Sequence, residues 1–67
     1  MIITLNNNSL EIAPGTSLEA VVAMYSGQET LGIAVAVNEL VITRQQHAAY
    51  QLKPGDQVLI VKATQGG

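Results

Sequence analysis

GIAVAVNELVI, residues 32–42, decides the fold of this chain. The run from Ile33 to Val37 is apolar and is bounded by the turn residues Gly32 and Asn38. It is too short and too rich in β-branched residues for a helix, so it predicts a strand. Asn38 and the residue after it predict a turn, and residues 40–42 predict a second short strand beyond it. The middle of the chain is therefore expected to lie in a sheet.

The amino-terminal residues predict a β-hairpin. Residues 2–5 (IITL) are a short β-rich run, residues 6–8 (NNN) are a turn signal, and residues 10–12 (LEI) alternate in the manner of a strand. Pro14 and Gly15 then end the extended segment.

One amphipathic helix is expected after this break. Thr16 and Glu19 have the spacing of a capping box, in which a hydroxyl and a carboxylate satisfy free backbone N–H groups. Gly27 stands where a C-terminal helix cap belongs. Between Thr16 and Gly27, apolar residues recur at the spacing that places them on one side of a helix. The stripe consists of Leu18, Val21, Val22 and Tyr25.

The remaining residues predict a crossover and a last strand. Residues 43–50 have no clear period and leave room for a helical turn, residues 53–56 (KPGD) predict a tight turn, and residues 58–62 (VLIVK) predict a strand. This order of elements indicates an α+β fold, a mixed sheet of four to five strands with one main helix packed on one face. We expect a single domain over residues 1–67, with residues 63–67 as a flexible C-terminal tail.

The second face of such a sheet is a candidate partner-binding surface, because one helix covers only one face. If Thr4 and Lys62 point to solvent, alternation sends the odd-numbered residues of both strands to the helix. Those residues are Ile3, Leu5, Leu59 and Val61. An apolar open side is typical of partner surfaces, although scattered surface aliphatics are also ordinary. The predicted partner-binding residues are Ile2, Val58, Ile60 and Lys62.

Composition excludes several classes of protein. The chain has no cysteine, so neither disulfides nor a cysteine-based zinc site can stabilise it. Three basic residues against five acidic ones give a net charge of -2, which argues against nucleic-acid binding. The first residues lack the pattern of a signal peptide, and no uncharged run approaches a membrane span. We expect a soluble cytoplasmic protein that binds neither nucleic acid nor membrane.

Catalytic chemistry has few candidates. His47 is the only histidine, and no second histidine, cysteine or carboxylate pair stands at triad or metal spacing. We therefore expect a solvated or packed imidazole. The serines stand at turns or helix ends, where hydroxyls bind backbone groups, and the carboxylates are dispersed singly. No catalytic residue, metal site or bound cofactor is predicted, and the chain is not expected to be an enzyme.

The last two residues, Gly66 and Gly67, have a sharper chemical interpretation. Without Cβ atoms they could thread a narrow channel and present an unhindered carboxylate. A carboxylate resists nucleophiles, but joining it to AMP creates a leaving group and makes the carbonyl carbon electrophilic. Five extended residues would reach about 16 Å into such a site on another protein.

The whole arrangement resembles the β-grasp fold of ubiquitin-like proteins. Four features point to one family among the ubiquitin-like proteins. They are GIAVAVNE (32–39), Arg44, PGDQVLIV (54–61) and the final Gly-Gly. They are similar to the ThiS sulfur carriers of thiamine biosynthesis over nearly the whole chain. Two residues depart from the usual pattern of that family, namely Thr43 in place of a proline and His47 in place of a tryptophan. Both departures concern packing or a contact in the crossover.

The resemblance implies a role as a recycled cosubstrate. A ThiF-like enzyme using Mg-ATP would adenylate Gly67, and sulfur from a cysteine-desulfurase persulfide or another donor would replace AMP. Thiazole synthase of the ThiG type would take the sulfur from the resulting thiocarboxylate. ATP and magnesium would belong to the activating enzyme.

Two other classes stay open at the level of sequence. The small sulfur-carrying subunit of molybdopterin synthase resembles this chain in fold, Gly-Gly end and activation chemistry, and differs in its delivery partner. A ubiquitin-like modifier or interaction module would use the same sheet face and either join Gly67 to a lysine or leave it unused.

Overall fold

The computed structural model describes residues 1–26 and 32–62. This part of the chain forms a mixed sheet with one α-helix, as the sequence predicts for an α+β fold. The elements are β1 (Ile2–Leu5), β2 (Asn8–Glu11), α1 (Leu18–Ser26), β3 (Ile33–Val37), β4 (Leu40–Ile42), a 3-10 helix (Arg44–Gln46) and β5 (Gln57–Lys62).

The last strand lies in the middle of the sheet. The five strands have the order β2-β1-β5-β3-β4. β5 runs parallel to β1, where Thr4 pairs with Gln57, and antiparallel to β3, where Ile33 pairs with Lys62. Both hairpins, β1-β2 and β3-β4, are antiparallel. β5, the last described strand, therefore has a hydrogen-bonded neighbour on each side.

Two-residue turns close both hairpins in the left-handed backbone region. Asn6 and Asn7 have φ of 51° and 70°, and Asn38 and Glu39 have φ of 52° and 71°. Two consecutive positive φ values are characteristic of type I′ turns, whose twist matches that of the strands. Asparagine tolerates this region better than most residues, which explains the asparagines at three of the four positions. Both predicted turns are confirmed.

The helix begins one residue later than the predicted capping box requires. Leu18 is its first residue, and the Ser17 Oγ accepts the backbone N–H of Ala20 at 3.2 Å. Thr16 instead donates its hydroxyl to the Ala13 carbonyl at 2.6 Å. The prediction of a Thr16–Glu19 box was wrong, because two adjacent hydroxyls compete and Thr16 is already engaged in the preceding turn. Ser17 is the cap.

The predicted apolar stripe of the helix holds for its first two turns. Leu18, Val21 and Val22 are buried. Tyr25, the fourth predicted member of the stripe, is half exposed, so the prediction that the stripe packs along its whole length was wrong. It lies in the last turn of a nine-residue helix, one turn beyond the buried valines. Gly27, the predicted C-terminal cap, lies outside the described residues.

The inward and outward faces of β5 are opposite to the prediction. Val58 and Ile60 are 2% and 4% exposed and belong to the core, whereas Leu59 and Val61 are 48% and 52% exposed. In β1 the prediction holds, because Ile3 is fully buried and Leu5 packs against the core. The buried residues are Ile3, Ile12, Leu18, Val21, Val22, Val35, Val37, Ile42, Leu52, Val58 and Ile60.

The faces of β5 were assigned wrongly because Lys62 was taken to mark the solvent side. Its position in the alternation places it with Ile60 on the helix side, yet it is exposed because it is the last residue of the strand. A lysine at a strand end can reach water from either face, so it does not report the solvent side. The pairs Val35 with Ile60 and Val37 with Val58 fix the buried side from within the sheet.

Asparagine side chains from the two neighbouring hairpins hold β5. Asn6 Oδ1 accepts the Ile60 N–H at 2.8 Å, and Asn6 Nδ2 donates to the Ile60 carbonyl at 3.2 Å. Asn38 Oδ1 accepts the Gln57 N–H, and its Nδ2 donates to Asp56 Oδ1, both at 3.0 Å. Each side chain satisfies backbone groups beyond the point where the neighbouring strand stops. β5 is therefore pinned from both sides.

Asp56 completes the contact at the start of β5. Its buried carboxylate accepts the Lys53 N–H at 2.8 Å across the Pro54-Gly55 turn. This bond stabilises the tight turn that the sequence predicts at residues 53–56. The bond to Asn38 adds a second partner and joins the turn before β5 to the turn between β3 and β4.

Replacing Ile60 by glutamate should greatly destabilise the fold. The substitution puts a charge in a closed core, and we expect the free energy of unfolding in urea to fall by about 3 kcal/mol or more. Leu59→Glu, its neighbour on the exposed side, is the matched control and should change that free energy by less than about 1 kcal/mol. Equal losses in the two variants would contradict the assignment of faces.

Asn6→Ala should cost more stability than Asn7→Ala. The two residues share one turn and the positive φ, so the backbone strain of alanine is similar in both variants. Only the Asn6 substitution leaves the Ile60 N–H and carbonyl without their partner, and we expect it to cost about 1–3 kcal/mol more in urea unfolding. A difference below about 0.5 kcal/mol would show that the Asn6 side chain does not hold β5.

Candidate functional site

The exposed side of the sheet carries a compact apolar surface. Ala36 pairs with Leu59 on one side and with Val41 on the other, and Ala34 pairs with Val61. Paired residues point to the same face, so these five side chains lie together across β5, β3 and β4. We call this surface the sheet patch. It consists of Ala34, Ala36, Val41, Leu59 and Val61.

The sheet patch has the shape of a shallow trough. Leu59 and Val61 rise on one side and Val41, which is 68% exposed, rises on the other. The alanines of β3 lie between them because a methyl group projects less than a branched side chain. An adjoining cleft of about 220 Å³ includes Ala36, Leu59, Thr4 and Gln57. An apolar, uncharged centre of this kind is characteristic of the buried part of protein interfaces.

The structure separates the four predicted partner-binding residues. Ile2 is exposed, and its alternation with Thr4, which pairs with Gln57, puts it on the open face beyond the sheet patch. Val58 and Ile60 are core residues and cannot contact a partner, so that part of the prediction was wrong. Lys62 is exposed at the end of β5, on the side opposite to the patch.

All five residues of the sheet patch were missed by sequence reasoning, because Leu59 and Val61 were assigned to the helix side. Ala34, Ala36 and Val41 were assigned to strands, but not to the open face. The alternation in AVAV was visible, and the larger valines were the natural choice for the inward side. What was absent was the strand order, which alone puts these residues beside Leu59 and Val61.

The predicted reaction centre lies outside the described residues. Gly66 and Gly67, with the rest of residues 63–67, follow directly on Lys62 at the end of the central strand. From Val61 to Gly67 the chain could span at most about 20 Å. The length of the chain thus limits the distance between Gly67 and the sheet patch.

His47 is packed inside the protein and lies within hydrogen-bond distance of the backbone. The residue is buried, and its Nε2 lies 3.2 Å from the Ile42 carbonyl oxygen. Its own carbonyl accepts the N–H of Glu19 in the first turn of the helix at 3.1 Å. Of the two expected states, solvated or packed, the packed one is confirmed. The neighbouring 3-10 helix, Arg44–Gln46, is the helical turn that the crossover was expected to hold.

Residues 1–26 and 32–62 contain no group of three or more metal-ligating side chains. Within the same residues, no helix has the length and apolar character to cross a membrane.

Comparisons with known proteins agree on one family. The family model described as the ThiS family matches residues 3–67. The sulfur carrier protein ThiS of Escherichia coli (strain K12) is 28% identical over 67 residues, which cover 100% of both chains. The crystal structure of the thiamine biosynthesis protein ThiS from Geobacter metallireducens has a TM-score of 0.82 and 22% identity, and the match covers 100% of both chains.

The structural likeness supports the fold, and the family match supports membership. The mixed five-stranded sheet with one helix is the β-grasp fold that the resemblance predicted, with the last strand in the centre. The match of the family model extends through the last residue, Gly67. On these grounds the chain belongs to the ThiS family of sulfur carrier proteins.

Proposed function

We propose that this protein carries sulfur on the carboxyl group of Gly67 for the synthesis of the thiazole ring of thiamine. A ThiF-like enzyme would join the carboxylate to AMP, with pyrophosphate leaving from Mg-ATP. A persulfide from a cysteine desulfurase would attack the acyl carbon and release AMP. Cleavage of the sulfur–sulfur bond by a thiol would leave a thiocarboxylate, which would deliver the sulfur to thiazole synthase.

The observation that carries the proposal is the family match from residue 3 to Gly67 on a chain whose last strand is central. Gly66 and Gly67 follow this strand after three residues. Without Cβ atoms they suit a narrow channel, and Gly67 would offer its carboxyl group to an ATP site without steric hindrance. Cysteine chemistry would reside in the partners, since the chain has no cysteine.

The sheet patch is the proposed contact with the activating enzyme. Leu59 and Val61 share a strand with the root of the tail, so a partner that holds them would hold the start of the tail as well. This assigns the partner-binding face to the patch residues in place of Val58 and Ile60. The same surface would serve thiazole synthase in turn, because both partners must receive the same tail.

Deleting Gly67 should abolish activation and leave the fold intact. We expect the full chain to support ATP–pyrophosphate exchange by a ThiF-like enzyme, and the shortened chain to support none. Thermal unfolding of both proteins should coincide, because a terminal residue contributes few packed contacts. Exchange that persists after the deletion would refute Gly67 as the activated residue.

Leu59→Glu should weaken docking to the activating enzyme. A charge in the centre of an apolar interface should raise the KM for the carrier by about 10-fold or more, which corresponds to at least 1.4 kcal/mol. Met24→Glu is the matched control, since Met24 is 63% exposed on the helix, away from the sheet patch. If Leu59→Glu raises this KM twofold or less, or if both variants raise it equally, the patch does not lie in the interface.

A further inference from the structure

The basic residues of this protein are unevenly placed along β5. Lys62 ends the strand and pairs with Ile33. Arg44 lines a cleft of about 210 Å³ together with Ile33. Both cations therefore flank Ile33, the first residue of β3, at the end of the sheet where β5 ends. Lys53, the third basic residue, precedes the turn that leads into the opposite end of β5.

Carboxylates lie towards the start of β5. Asp56 immediately precedes the strand, and Glu39 follows Asn38, whose backbone N–H donates to the Gln57 carbonyl at 2.8 Å. Glu11 pairs with Ile2 at the start of β1, which runs parallel to β5. Glu19 lies apart on the first turn of the helix. Lys53 and the charged amino terminus, which donates to the Ile12 carbonyl at 2.6 Å, also lie near the start of β5. Among the described residues, that end of the sheet thus carries charges of both signs, whereas Arg44 and Lys62 are both cationic and lie where β5 ends.

Arg44 and Lys62 are close enough to act together. Lys62 lies on β5 and Arg44 follows the end of β4, with β3 between them. Two strand spacings separate their backbones by about 10 Å, and both side chains are exposed. Long flexible cations at this separation can contact neighbouring carboxylates on one protein surface.

We propose that Arg44 and Lys62 form a cationic pair at the root of the tail that binds carboxylates at the entrance of the activating enzyme's active site. This inference rests on the proposed function and names the chemistry of the partner surface. The pair would orient the carrier tail first, because two cations lie together at the end of β5 and the opposite end carries charges of both signs. Complementary charge of this kind acts mainly on association rate and orientation.

The anion at this position belongs to the enzyme and not to its nucleotide. Lys62 precedes Gly67 by five residues, which span about 16 Å when extended. With the Gly67 carboxylate at the α-phosphate of ATP, a threaded tail keeps Lys62 at the outer mouth of the channel. Its side chain could not bridge the remaining distance to the phosphates. Carboxylates around the entrance are the groups within reach.

Lys62→Gln and Lys53→Gln form a matched pair for the test. Both variants remove one exposed lysine charge, at opposite ends of β5, and change the net charge equally. At low ionic strength, Lys62→Gln should raise the KM for the carrier in ATP–pyrophosphate exchange about threefold to tenfold, and Lys53→Gln less than about 1.5-fold. Arg44→Gln should behave like Lys62→Gln. The effect should disappear at about 0.5 M salt, and kcat at saturation should stay unchanged.

Each other outcome would overturn the inference. Equal effects of the two lysine variants would show that net charge, and not its position, matters. No effect of Lys62→Gln at low salt would remove the pair from the interface, and a raised KM for ATP would indicate a contact with the nucleotide. Failure of the unaltered chain to support exchange would instead refute the proposed function, so the two failures are distinguishable.

Discussion

The position of β5 between β1 and β3 is the constraint on which the rest of the structure depends. A strand in the centre of a sheet is hydrogen-bonded on both sides, and its side chains alternate strictly between the two faces. Here one face is closed by the helix, so Val58 and Ile60 must complete the core. Leu59 and Val61 are then forced outward by the same alternation. The pairing register of β5 therefore determines both the core residues and the residues of the sheet patch.

The central position of β5 also fixes Lys62, the residue from which the predicted tail, residues 63–67, would extend. Asn6 binds the backbone of Ile60 beyond the end of β1, and Asn38 binds that of Gln57 at the start of the strand. Both asparagines lie in type I′ turns, where their positive φ is tolerated, so the residues that shape the turns also fix β5. In the proposed function, this rigidity holds the patch at a constant position relative to the point where the tail begins.

Sequence reasoning located nearly every element but not the relations between elements. The strand from Ile33 to Val37, the turn at Asn38 and Glu39, and the hairpin at the amino terminus follow from local composition. The faces of β5 depend on its pairing with Val35 and Val37, which are more than 20 residues away along the chain. No local pattern contains that information, and the lysine at the strand end indicated the wrong side.

The side-chain hydrogen bonds of the asparagines could not be predicted from local sequence either. Asn6 could be read as a turn residue, but its bonds to Ile60 join residues 54 positions apart. The helix cap failed for a different reason, since Thr16 and Ser17 are both suitable and only the preceding turn decides between them. The sheet patch needed the strand order. The interpretation of the Gly-Gly end depends on residue type alone, lies outside the described residues and stays a prediction.

The central claim is that Gly67 receives sulfur, and intact-mass spectrometry tests it most directly. The full chain would be incubated with Mg-ATP, a ThiF-type activating enzyme and a persulfide donor, beside a reaction without the donor. The account predicts a mass increase equal to the exchange of one oxygen for sulfur, localised to Gly67 and dependent on the donor. An unchanged mass with partners proven active on another carrier would contradict it.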